Sequence, residues 1–178
     1  MPNTCFAPGR INLIGEHLDY NGGLVLPAAI TLGITASFMP NDSGQILLTT
    51  DGNNKQTTIE LQVNAISYEA ANDWCNYPMG VIRQLLKEGF ALPSGHIHYS
   101  STLPQGSGLS SSAAIEVLTA WLLLSEIGQQ PDKVWLANVC RQVENEFIGV
   151  QCGIMDQYAV ALGQKDNAIL IDCAALTH

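Results

Sequence analysis

The sequence predicts an α+β fold, a sheet with its helices on one side. Three observations carry this. Alternating and β-branched apolar segments occupy the first half of the chain, and segments with helical spacing occupy the second. The two kinds follow one another without strict βα alternation. Among the 178 residues 47% are hydrophobic and 13% charged, a composition that can bury a core and argues against disorder. No repeat or flexible linker divides the chain, so residues 1–178 read as one domain.

Ile11, Leu13 and Ile14 suggest a buried strand near the N-terminus. Leu24–Ile30 and Gly33–Phe38 follow as two apolar strands, then Gln45–Thr50 and Thr57–Val63, with the hairpin signal Asp51-Gly52-Asn53-Asn54 between them. The first helix is expected over Asp73–Glu88, with Tyr77, Val81 and Leu85 at helical spacing and Gly89 as its stop. His96–Ser101 alternates as a strand, with Ile97 and Tyr99 on one face and His96 and His98 on the other. Ser111–Ile127 carries Ile115, Leu118, Trp121 and Leu122 on one face and ends at Gly128. Pro131 suits the opening of a third helix, in which Trp135, Val139, Val143 and Phe147 recur every four positions. A short helix near Met155–Leu162 and a strand Ala168–Asp172 complete the pattern, and the stop at His178, without a closing element, suggests truncation.

Sixteen acidic residues against seven basic ones leave a net charge of −9, which makes the chain a poor general binder of nucleic acid or of anionic membrane. Apolar runs such as Trp121 to Leu124 are far too short to span a bilayer, and no secretory apolar region follows Met1. Cys5, Cys75, Cys140, Cys152 and Cys173 are odd in number, widely spaced and without a C-x-x-C pair. They fit reduced thiols in a cytoplasmic protein.

The most informative segment is Leu103-Pro104-Gln105-Gly106-Ser107-Gly108-Leu109-Ser110-Ser111-Ser112-Ala113-Ala114, between a strand and a helix. Glycines allow close backbone approach, and a helix start offers free N–H groups and partial positive charge. Together they suit a phosphate, and a serine hydroxyl suits Mg²⁺. The loop has no lysine and is not a Walker A motif, so backbone amides, helix dipole and metal would have to meet the charge of a nucleotide. A serine-rich N-cap on an ordinary helix accounts for the same residues nearly as well.

The run Pro-x-Gly-x-Gly-Leu-Ser-Ser-Ser-Ala resembles the phosphate loop of the GHMP kinases. Ala7-Pro8-Gly9-Arg10-Ile11-Asn12-Leu13-Ile14-Gly15-Glu16-His17-Leu18-Asp19-Tyr20-Asn21 is similar to the signature of their galactokinase branch, and Gly153-Ile154-Met155-Asp156-Gln157 resembles a third stretch of it. Read alone, Glu16, His17 and Asp19 form a polar turn, either solvated or suited to discriminating sugar hydroxyls. Asp156 alone is a helix-start carboxylate, and Glu144 an exposed helix acid like Glu146. The resemblance implies that Glu16, His17, Asp19 and the backbone of Gly153 bind galactose, and that Arg10 and Asp156 are catalytic. It further implies that Gly106, Ser107, Gly108, Leu109, Ser110, Ser111 and Ser112 cradle ATP, with Mg²⁺ on Ser112 and Glu144. Trp74 resembles a position near the adenine, or is a core tryptophan. His96 and His98 lack a third ligand and read as ordinary strand histidines.

The resemblance implies a ribosomal S5 domain 2-like fold with the family's C-terminal domain absent. The implied reaction is transfer of the ATP γ-phosphoryl group to the 1-hydroxyl of α-D-galactose, in a chain that alone is weakly active or inactive. A kinase for another sugar such as N-acetylgalactosamine, or a non-catalytic galactose and ATP sensor, is the alternative. A face left open by the missing domain would favour self-association.

Overall fold

The computed structural model describes residues 3–51 and 53–178; Gly52 of the expected turn lies outside them. The strands are β1 (Asn3–Asn12), β2 (Leu24–Val25), β3 (Pro27–Pro40), β4 (Gln45–Thr50), β5 (Asn53–Glu60), β6 (Gly95–Ser101) and β7 (Ile171–Asp172). Five of them form one sheet in the order β1-β3-β6-β4-β5, while β2 pairs with β7 in a small ladder. All pairings are antiparallel except β4 with β6.

Period-two alternation gives the main sheet one dry face. Ile34, Ala36 and Phe38 of β3, Ile46 and Leu48 of β4, and Ile97 and Tyr99 of β6 are buried. Thr35, Ser37, Thr49, His96 and His98, which alternate with them, are half-buried on the other face. The helices are α1 (Asn76–Lys87), α2 (Ser111–Glu126), α3 (Lys133–Val143) and α4 (Met155–Leu162). The central helix α2 packs on β1 and β3 and touches the other three helices. Every residue from Ala113 to Ala120 is buried, as expected of a helix surrounded by protein. The Tyr99 hydroxyl ties β6 to Thr119 Oγ1 of α2 at 2.8 Å. No described helix is long and apolar enough to cross a membrane. All five cysteines are free.

Several boundaries differ from the expectations. The segments Leu24–Ile30 and Gly33–Phe38 are not two strands: Pro27–Pro40 is one, and Leu24–Val25 belongs to the small ladder. Gly33 marks a close approach and not a break, because a Cβ there would collide with the Ala7 carbonyl and the Phe6 ring. Ile11, Leu13 and Ile14 are not buried but 40%, 56% and 69% exposed. β1 is an edge strand, and the chain leaves the sheet after Asn12. The strand expected at Thr57–Val63 is Asn53–Glu60, followed by a 3₁₀ turn at Val63–Ala65.

The first helix begins at Asn76, not Asp73, because Ala70–Cys75 is a 3₁₀ segment interrupted by Asp73 at φ 50°. The third begins at Lys133 and not at Pro131. Asp132 caps it, its Oδ1 accepting from the Trp135 amide at 2.9 Å. The last strand covers only Ile171–Asp172 of the expected Ala168–Asp172.

Candidate active site

The loop between β6 and α2 is open on its outer side. Gly106 and Gly108 take φ 66° and 68°, and a Cβ on either would meet no atom within 4 Å. Ser107 Oγ donates to the Pro104 carbonyl at 2.8 Å, closing the turn. Ser110 stands at the helix N-cap in the left-handed region, φ 59°, yet its side chain does not cap α2. It donates to Asp156 Oδ2 at 2.6 Å instead. The serine-cap account therefore fails at this residue, and the first amides of α2 have no side-chain acceptor. Ser111 and Ser112 line the adjoining cleft.

The opposite side of the loop is held by the N-terminal strand. A register shift in β1 between Pro8 and Arg10 brings Gly9 against the loop, where a Cβ would lie 2.8 Å from the Leu109 carbonyl. The Arg10 amide donates to that carbonyl at 3.1 Å. Its guanidinium donates through Nη1 to the Gly108 carbonyl at 2.6 Å, and through Nε and Nη2 to Asp156 Oδ1 at 2.8 and 2.7 Å. Asp156 lies in the first turn of α4. Arg10 and Asp156, 146 positions apart, thus meet at the glycine loop.

Glu144 departs from the expectation of an exposed helix acid. It is 7% exposed, where a π-helical segment, Glu144–Ile148, continues α3, while Glu146 two positions on is exposed. Burial pushes its carboxyl up, a hydrogen bond with Ser112 pulls it down, and the Asp156 charge raises it again. Sequence reasoning missed its neighbour Glu116, which is wholly buried with both carboxyl oxygens unpartnered. Burial and the Glu144 charge push Glu116 well above the usual carboxylate range. A lone acid inside the apolar run Ala113–Leu118, one turn after Ser112, was the available signal.

The Ser112 hydroxyl and Glu144 carboxylate are hard oxygen donors of the kind Mg²⁺ prefers. Among the described residues no cluster of three or more His, Cys, Asp and Glu side chains could hold a metal. Such a cation would need further oxygens, as Mg²⁺ commonly takes from phosphates and water.

Next to Ser111 and Ser112 opens a cleft of ≈ 520 Å³, lined also by Asp73, Trp74, Tyr77, Tyr99 and Gln105. The Trp74 ring stands edge-on to Tyr99 at 5.6 Å, and its buried Nε1 has no partner. An aromatic wall with an unused donor fits a planar heterocycle beside the phosphate loop.

The polar turn is only partly joined to this centre. A Cβ on Gly153 would strike the Asp19 carboxylate, so the two are packed directly together, three residues before Asp156. Asp19, Gly22, Arg141, Asn145 and Cys152 line a neighbouring hollow. Glu16 and His17 are exposed. His17, at φ 63°, is tied through Nδ1 to the Tyr20 hydroxyl at 2.7 Å and makes no bond to Arg10 or Asp156. On the open sheet face, Thr49 Oγ1 lies 2.7 Å from His96 Nε2 and 2.9 Å from His98 Nδ1, which accounts for that pair within the sheet.

Residues 76–164 match the family model of the GHMP kinases N terminal domain, and the chain belongs to the GHMP kinases. Within that family it carries the galactokinase galactose-binding signature, matched over residues 2–40. It is 43% identical to the galactokinase of Bacillus subtilis over 97% of this chain and 45% of the relative, and 46% identical to that of Enterococcus faecalis over 94% and 43%. It therefore spans a little under half the length of the curated relatives it matches. The fold superposes on the crystal structure of Lactococcus lactis galactokinase complexed with galactose with a TM-score of 0.92, at 34% identity over 99% of this chain and 46% of that one. Methanococcus jannaschii mevalonate kinase, 22% identical, shares the fold with a TM-score of 0.82 over 98% of this chain and 54% of its own.

Proposed function

We propose that this chain forms the part of a galactokinase that holds the phosphates of ATP and the reacting end of galactose. The observation that carries the reading is the joint formed by Arg10, Asp156, Ser110 and the Gly108 carbonyl at the open glycine loop. In the reaction a bond forms between the galactose 1-oxygen and the γ-phosphorus. The bond from that phosphorus to the bridging oxygen of ADP breaks. Gly106 to Ser112 offer amides and hydroxyls to the phosphate oxygens, with Trp74 beside the adenine. Mg²⁺ on Ser112 and Glu144 would neutralise phosphate charge.

Asp156 is assigned to orient the 1-hydroxyl and accept its proton, with Arg10 holding Asp156 in place and facing the transferred group. Asp19 and the Gly153 backbone are assigned to the sugar hydroxyls, and the exposed Glu16 and His17 to the outer side of the ring. The bonded position of Asp156 and the packing of Asp19 on Gly153 support these roles.

The test is a chimera in which this chain is followed by the remainder of the Bacillus subtilis galactokinase. ADP release should depend on galactose and be much weaker with N-acetylgalactosamine or glucose. ADP release indifferent to the sugar, or a clear preference for another sugar, would contradict the reading.

A further inference from the structure

Ser110 belongs to the phosphate loop by sequence, yet its hydroxyl is already engaged. The residue is 7% exposed and stands at φ 59°, ψ 46°, in the left-handed region that residues with a Cβ rarely enter. Its backbone is fixed on both sides. The Leu109 carbonyl before it accepts from the Arg10 amide at 3.1 Å, and its own carbonyl accepts from the Ala114 amide at 3.0 Å. An N-cap serine ordinarily offers its side-chain oxygen to a helix amide, and this one does not. It donates to Asp156 Oδ2 at 2.6 Å, while Arg10 holds Oδ1 at 2.8 and 2.7 Å. Each carboxylate oxygen thus has its own donor, one from the loop and one from β1. Strained backbone of this kind persists where the surroundings enforce it, and such residues cluster at functional sites.

We propose that Ser110 is a positioning residue for Asp156: its hydroxyl fixes Oδ2 so that the carboxylate faces the sugar 1-hydroxyl, and it takes no part in holding phosphate. The inference rests on the kinase reading of Asp156. Arg10 alone, with both its contacts on one oxygen, leaves the carboxylate free to swing about that oxygen. Ser110 on the other oxygen stops the swing. Phosphate is left to the loop amides and to the hydroxyls of Ser111 and Ser112.

The experiment measures binding of galactose, 1-deoxygalactose and Mg·ATP to the 178-residue chain. Ser110→Ala removes the hydroxyl and keeps the Cβ, whereas Ser110→Gly removes both and suits φ 59°. An effect common to the two variants reports the hydroxyl. Both should bind galactose ~10-fold more weakly, the scale of one hydrogen bond to a charged group. Both should bind 1-deoxygalactose as the wild type does, because that sugar offers Asp156 no hydroxyl. Mg·ATP affinity should be unchanged. If Ser110→Ala does not fold, Ser110→Gly, free of the strain, is read in the same way.

With a wild type that prefers galactose to 1-deoxygalactose, three results overturn the proposal and leave the kinase reading intact. They are undiminished galactose affinity in the variants, a loss shared by both sugars, and weakened Mg·ATP binding. A wild type that does not distinguish the two sugars overturns the assignment of Asp156 and this proposal with it.

Discussion

Arg10 spends one guanidinium on two elements, donating to Asp156 of α4 and to the Gly108 carbonyl of the loop. Lysine would keep the charge and lose the planar fork. Arg10→Lys should therefore lower turnover of the chimera by ~10-fold or more, the scale of one charge-assisted hydrogen bond, with little change in melting temperature. Asp156→Ala should cut turnover by ~10²-fold or more if it handles the hydroxyl proton. Steady-state kinetics checks both, and near-normal turnover in Asp156→Ala would remove that residue from the mechanism. At this scale much of the site was legible in the sequence. The motifs singled out Arg10, Ser110 and Asp156, whose side chains prove to be bonded in one cluster. The complete burial of Glu116 was not legible: only the tertiary packing of the other helices around α2 encloses it.

Elements were read well where one pattern governed and poorly where two competed. Alternation identified the strand at His96–Ser101, and helical spacing with a glycine stop placed α2 to within a residue. The gap read between Leu24–Ile30 and Gly33–Phe38 does not exist, because Pro27–Pro40 runs on as one strand; what Gly33 answers to, the neighbouring Phe6 and Ala7, lies on another strand. A Cβ at Gly33 meets a backbone oxygen that cannot turn aside, so Gly33→Ala should cost ~1–3 kcal/mol in urea unfolding. An unchanged midpoint would show that β1 and β3 can separate without penalty. For α3 the cap outweighed the proline. Asp132→Ala should lower stability by ~1 kcal/mol, whereas Pro131→Ala should change it less.

For the whole molecule, burial of the thiols sets an alkaline limit. Burial is the largest influence on Cys75 and raises it from 9.0 to about 11; Lys55 opposes the shift and Asp73 adds to it. Its contribution is intact below pH 9. Between pH 9 and about 11 the unfolded thiol has ionised while the folded one is still protonated, so folding stability falls as pH rises. Urea unfolding at pH 8 and pH 10.5 should show this loss, with a shallower slope in Cys75→Ala; equal stability at both pH values would contradict it. The convergence of β1, the serine loop and α4 was the least legible feature at this scale. It depends on α2 seating against β1 while α4 packs beside it, which no local pattern encodes.

The central claim is that one end of this fold offers amides to phosphate and carboxylates to a sugar. Amide NMR of the chain, titrated with Mg·ATP and then galactose, tests it residue by residue. Mg·ATP should shift Gly106, Gly108, Ser111, Ser112 and the Trp74 indole, and galactose should shift Asp19, Gly153 and Asp156. Saturating ligand that leaves these signals in place, or moves only residues elsewhere, would contradict the account.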